Sequence, residues 1–95
     1  GNQQKVVIGK WMCMTPKVVL FDEPTRGIDI KAKASIYELL GKMVQKGMSV
    51  IMVSSELQEL ISVSDRILVM CEGKQKAILN TKETSQEEIM GYAVP

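Results

Sequence analysis

Residues 18–21 read Val-Val-Leu-Phe, an unbroken apolar run that ends in two adjacent carboxylates, Asp22 and Glu23, followed by Pro24. Consecutive apolar residues without alternation suit a strand covered on both faces, as in a parallel sheet. Such a strand needs a crossover helix and companion strands, and the following residues supply them. Pro24-Thr25-Arg26-Gly27 is turn chemistry. Asp29 offers a carboxylate to the first amides of a helix expected over residues 30–46. Ile36, Leu39, Leu40, Met43 and Val44 form one apolar stripe on that helix, and Gly47 is placed as its left-handed stop.

The rest of the chain continues the alternation. Strands are expected over 49–54 and 66–71, with a short helix over 56–62 between them. Glu72-Gly73-Lys74 reads as a tight turn into a fourth strand, 75–79. Ser85, with Glu88 three residues on, caps a last short helix in a tail, residues 81–95, that otherwise matches no pattern. Upstream, residues 3–14 carry Val6, Val7, Lys10 and Met14 at helical spacings, and Thr15-Pro16 stops that helix. This order predicts an α/β architecture with a mainly parallel sheet and flanking helices.

Composition then narrows the chemistry. At 95 residues the chain is at most one small domain, and 45% hydrophobic with 24% charged residues is a globular balance that excludes a disordered tail. Lys plus Arg is 12 against 11 for Asp plus Glu, so there is no basic field to attract nucleic acid or an anionic membrane. Histidine is absent, which excludes Ser-His-Asp and Cys-His catalysis and His-ligated metal. Cys13 and Cys71 are too isolated for a zinc or disulfide framework and read as reduced thiols. Apolar stretches such as Val50-Ile51-Met52-Val53 are too short to span a bilayer, and no signal-peptide pattern opens the chain. The opening Gly1-Asn2-Gln3-Gln4-Lys5 has no initiator Met, so the chain is expected to be part of a longer protein. The methionines are expected to fill the core, and Lys31, Lys33 and Lys42 to form a solvated helix face.

Two windows carry chemistry. A strand ending in Asp22 and Glu23 puts two carboxylates at the carboxyl edge of the sheet, where α/β ligands bind. One can hold a magnesium ion, usually through water, while its neighbour polarises a water for attack on a phosphoryl group; a plain polar turn is the alternative. Gly1, Asn2, Gln3 and Gln4 open a helix whose amides suit phosphate oxygens, and a simple N-cap by Asn2 is the alternative there.

Taken in this order and spacing, the windows resemble the C-terminal half of an ABC-type ATPase cassette, a P-loop NTPase-like fold. The resemblance rests on Gly1-Asn2-Gln3-Gln4-Lys5, on Asp22-Glu23-Pro24-Thr25-Arg26-Gly27-Ile28-Asp29, on Val53-Ser54-Ser55-Glu56-Leu57 and on Ser64-Asp65-Arg66-Ile67-Leu68-Val69-Met70. The wording is similar to the second cassette of bacterial ribose, galactose and xylose-type import ATPases. Residues 1–95 are then expected to be a partial cassette domain with signature-loop end, Walker B, D-loop and switch region.

The resemblance implies roles for particular residues. Gly1, as the last glycine of the signature loop, Asn2 and Gln3 face the γ-phosphate of an ATP held by the opposite cassette. Asp22 matches the Walker B aspartate serving Mg²⁺, Glu23 the carboxylate that activates the attacking water, and Asp29 the D-loop aspartate that communicates across the cassette dimer. Ser55 falls where the family has its switch histidine; it is shorter and uncharged, though a serine here is familiar in second cassettes of sugar importers.

No Gly-x-x-x-x-Gly-Lys-[Ser/Thr] string occurs in these residues, so this segment alone is expected not to hydrolyse ATP. In the family the Walker A strand lies between the switch-region strand and the strand at 66–71. Without it, two separate strand pairs are expected, with the gap closed by rearrangement or by pairing with another copy. The implied cofactors are ATP and Mg²⁺. The implied partners are a second ABC cassette and transmembrane permease subunits, with no nucleic acid and no direct bilayer insertion, at the cytoplasmic face of the inner membrane. A degenerate, non-catalytic cassette half that binds nucleotide and supports dimerisation is the main alternative. A DNA-maintenance ATPase is disfavoured by the near-zero charge and the lack of heptads. A receiver-like signalling domain leaves Asn2-Gln3-Gln4 and Gly27-Ile28-Asp29 unexplained.

Overall fold

A computed structural model of the chain describes Lys10 and residues 17–95. The helix expected over 3–14 lies outside the described residues except for Lys10, which is helical and exposed. From residue 18 onward the order is β1 (Val18–Asp22), α1 (Ile30–Gln45), β2 (Ser49–Val53), α2 (Leu57–Val63), β3 (Arg66–Cys71), β4 (Lys74–Asn80), a 3-10 turn (Thr81–Glu83) and α3 (Gln86–Ala93). The chain divides into two compact units, residues 1–55 and residues 56–95.

In the first unit β1 and β2 pair in parallel, from Val18 opposite Ser49 to Asp22 opposite Val53. The crossover between them is α1, whose start is fixed by Asp29: its carboxylate accepts from the Ala32 amide at 2.9 Å. Gly47, at φ 92°, lies just past the helix end, in a region closed to most side chains. The apolar stripe of α1 packs on one face of the strand pair. Val19, Phe21, Ile36, Leu40, Met43 and Met48 form the core, with Ile28, Leu39, Val50 and Met52 against it. Ile36 and Met43 are fully buried, and each such side chain stabilises the fold by about 1.5–3 kcal/mol.

The second unit is built differently. β3 and β4 form an antiparallel hairpin in which Cys71 faces Lys74 across a two-residue turn. Glu72 and Gly73 both take positive φ, 51° and 77°, the requirement of a turn whose twist matches paired strands. Ile67, Val69 and Ile89 are buried, packed by Leu57, Leu60, Ile61, Leu79 and Ala93, so α2 and α3 cover one face of the hairpin. Ser85 caps α3 by accepting from the Glu88 amide at 3.2 Å. The Ser64 hydroxyl donates to the Leu60 carbonyl at the end of α2.

Three expectations are corrected. The pairing is mixed and not mainly parallel: among the described residues there is one parallel pair and one antiparallel pair, because the tight turn at Glu72-Gly73 can only return the chain alongside itself. The run 18–21 is not covered on both faces: Val18 and Leu20 are 57% and 65% exposed, and burial alternates as period-two geometry dictates when only α1 supplies cover among the described residues. The stripe on α1 and the methionines are also not uniformly internal, since Val44, Met70 and Met90 are exposed. Lys31 and Lys42 are exposed and Lys33 is half-buried. The two strand pairs are those expected, β1 with β2 and β3 with β4.

Candidate functional site

Parallel pairing decides where the polar residues emerge. Because β1 and β2 run the same way with Asp22 opposite Val53, residues 22–23 and 54–55 leave the sheet side by side at its carboxyl edge. The Glu23 amide donates to the Val53 carbonyl at 2.8 Å, which extends the attachment one residue beyond Asp22. Asp22 is exposed and Glu23 is half-buried. Ser55 sits in an exposed bend two residues past β2.

Glu23 has φ 51°, in the left-handed region that non-glycine residues seldom occupy. Holding it there costs about 1–3 kcal/mol, which the surrounding structure must offset. A chain of turns does so. The Glu23 carbonyl accepts from the Arg26 amide at 3.2 Å, and the Thr25 carbonyl accepts from the Ile28 amide at 3.3 Å. Gly27, at φ 72°, supplies the left-handed residue of the second turn. Pro24 and Thr25 are buried beneath it, Thr25 only 3% exposed, while Arg26 and Gly27 face outward. Asp29 follows and caps α1, and its carbonyl accepts the Lys33 amide at 3.0 Å.

Of the residues singled out in the sequence, the structure therefore brings Asp22 and Glu23 to one strand end next to the loop that holds Ser55. Asp29 stands at the start of α1, with its carboxylate engaged in the helix cap. Gly1, Asn2 and Gln3 lie outside the described residues. Two features were missed: the left-handed backbone of Glu23 and the burial of Thr25. Pro24 gave no signal for the first, since a residue before proline is pushed toward extended backbone at negative φ. Nothing in the residue types announces the second.

The oxygens present suit a hard cation that arrives with phosphate. Among the described residues no group of three or more His, Cys, Asp or Glu converges, so they form no all-protein metal cage. One or two carboxylates at a strand end, completed by water and phosphate oxygens, are the usual holder of Mg²⁺. Asp22 and Glu23 fit that donor set.

The fold is that of an ABC-ATPase cassette segment. The structure superposes with a TM-score of 0.79 and 21% identity on the "ATP binding subunit of ABC transporter", over 95% of this chain and 41% of that one. It matches MJ1267, an ATP-binding cassette of an ABC transporter, with a TM-score of 0.78 and 21% identity over 96% of this chain and 38% of that one. No protein-family profile matches the chain. In sequence it is 55% identical over 96 residues to the D-allose import ATP-binding protein AlsA of Escherichia coli (strain K12), covering 100% of this chain and 19% of that protein. It is 57% identical over 93 residues to the galactose/methyl galactoside import ATP-binding protein MglA of Pasteurella multocida (strain Pm70), covering 98% of this chain and 18% of that protein. The chain thus spans under a fifth of the length of these relatives. At the level of family, it is a partial match to the ATP-binding proteins of sugar-importing ABC transporters.

Proposed function

We propose that this chain is the Walker B, D-loop and switch portion of an ATP-hydrolysing cassette in a sugar-importing ABC transporter. What carries the reading is the placement of Asp22 and Glu23 at the carboxyl edge of a parallel pair, beside the loop bearing Ser55. The sugar-import identity draws on the 55–57% identity to AlsA and MglA.

In this reading Asp22 is the residue that would hold Mg²⁺. Bound there, it would supply positive charge against the phosphate oxygens of ATP. The Glu23 carboxylate orients a water and accepts its proton as the water attacks the γ-phosphoryl group, the bond to the β–γ bridging oxygen breaks and ADP leaves. Ser55 offers a hydroxyl toward the same phosphate. Asp29 acts at the junction with a second cassette, where Gly1, Asn2 and Gln3 complete the partner's site. The proposed partners are that second cassette and a membrane permease, which place the protein at the cytoplasmic face of the membrane; among the described residues no helix is long and apolar enough to cross a bilayer.

Ser55 favours a second reading, in which the cassette binds nucleotide with little turnover and mainly supports dimerisation. Steady-state MgATP hydrolysis by the full-length protein separates the two. Loss of nearly all turnover in Glu23→Gln and of Mg²⁺-dependent nucleotide binding in Asp22→Ala is the outcome expected of a hydrolytic site. Turnover unchanged in Glu23→Gln leaves only the binding role. MgATP binding by the isolated 95 residues at micromolar concentration, lost in Asp22→Ala, would count against the expectation that this segment alone does not hydrolyse ATP.

A further inference from the structure

We infer that Thr25 is a positioning residue for Glu23, holding the carboxylate's backbone in its left-handed conformation from beneath. The inference rests on the reading of Glu23 given above and extends it to a residue that reading leaves without a role.

Three observations carry it. Thr25 and Glu59 are the buried polar or charged residues among those described, and Thr25 lies two positions from a carboxylate with φ 51°. Thr25 is also shared by two consecutive turns: it lies inside the one closed by Arg26 N–H to the Glu23 carbonyl, and its own carbonyl closes the next by accepting from Ile28. Finally, burial changes along the loop, with Glu23 half-buried, Pro24 and Thr25 buried and Arg26 exposed. A hydroxyl in so closed a position is kept only if it is hydrogen-bonded. Removing it while keeping the side-chain shape leaves its partner unsatisfied and loosens the turn at its inner end. The outer end of that turn is Glu23, anchored on its other side by the Val53 carbonyl at 2.8 Å. Freed from below, Glu23 relaxes out of its strained conformation and carries its carboxylate off the line of attack.

The test is steady-state MgATP hydrolysis by the full-length protein carrying Thr25→Val, Thr25→Ser and Glu23→Gln, with thermal melting of each. A small misplacement of a catalytic group costs rate rather than binding, so Thr25→Val is expected to lower kcat about tenfold or more with KM for MgATP within about twofold. Thr25→Ser keeps the hydroxyl and is expected to restore kcat to near its original value. Should Thr25→Val fail to fold, Thr25→Ala is read in its place. If Glu23→Gln abolishes turnover but Thr25→Val leaves kcat intact, or Thr25→Ser loses as much as Thr25→Val, the positioning role is overturned while the reading of Glu23 stands. If Glu23→Gln itself leaves turnover unchanged, both fall together.

Discussion

Glu23 and Glu72 share the same unusual backbone, φ 51°, yet sit in opposite kinds of structure. Glu72 opens the two-residue turn of the β3–β4 hairpin, where positive φ is the ordinary local solution for reversing a chain between antiparallel strands. Gly73 beside it relieves the second position, and Glu72 is exposed. Glu23 instead follows the last residue of a strand of a parallel pair, at the start of the turns that lead into the crossover helix. Its conformation is held by the Val53 carbonyl on the neighbouring strand, by the turn that Arg26 closes and by the buried Thr25 within that turn. One glutamate is strained by a turn that any Asn or Gly would serve better. The other is strained by a framework that keeps its side chain where the two strand ends meet, and that is where strain is expected to have a use.

The two units that hold these residues differ in the same way. The hairpin unit is assembled from residues close in sequence, with one face covered by α2 and α3, and its loop carries no chemistry the fold needs. The unit of β1, α1 and β2 must carry the chain through a whole helix before its second strand can pair. That crossover is what places two loops distant in sequence, 23–29 and 54–55, at one edge.

The sharpest way to break the contrast is to neutralise both glutamates. In the full-length protein Glu23→Gln is expected to reduce MgATP turnover by ~100-fold or more, whereas Glu72→Gln leaves it unchanged. Equal effects would erase the distinction. Next in size is the core beneath the site. Met43 is fully buried, and Met43→Ala is expected to cost about 2–5 kcal/mol, read as a lower denaturation midpoint with unchanged slope. A smaller loss follows at the start of α1. Asp29→Ala removes the acceptor of the Ala32 amide and is expected to cost about 1 kcal/mol, a loss that Asp29→Asn largely avoids because an amide oxygen caps nearly as well. Were Asp29 also to communicate between cassettes, Asp29→Asn would keep stability yet alter turnover, which separates its two roles. The smallest effect is a gain: Glu72→Asn turns the hairpin loop into Asn-Gly and is expected to raise stability by ~0.5 kcal/mol. A loss there would mean that Glu72 is held in place by more than its turn.

Local rules made much of this fold readable in the sequence. Asp29 as a cap, Gly47 as a stop, the strand at 66–71 and the cap at Ser85 all follow from short-range preferences, and each lies where those preferences put it. Burial was less legible. Val18 and Leu20 look as internal as Val19 and Phe21 until the number of covering elements is known, because apolar character reports what a face tolerates and not what packs on it. The antiparallel pairing of β4 followed from the turn at Glu72-Gly73, yet the helix–strand alternation elsewhere had suggested a mainly parallel sheet. At the site, residue types marked Asp22 and Glu23 as carboxylates at a strand end. The neighbouring position of the Ser55 loop and the strained backbone of Glu23 come from pairing with Val53, thirty positions further along the chain, a contact that no local pattern encodes.

The central claim, that the carboxyl edge of the β1–β2 pair is where metal and nucleotide meet this chain, is most directly tested by paramagnetic relaxation. Mn²⁺ replaces Mg²⁺ with ATP in the full-length protein, and broadening of backbone amide resonances is measured over these 95 residues. The account predicts the strongest broadening at residues 22–25 and 54–55, abolished by Asp22→Ala. Broadening centred on the hairpin, or undiminished in Asp22→Ala, would contradict it.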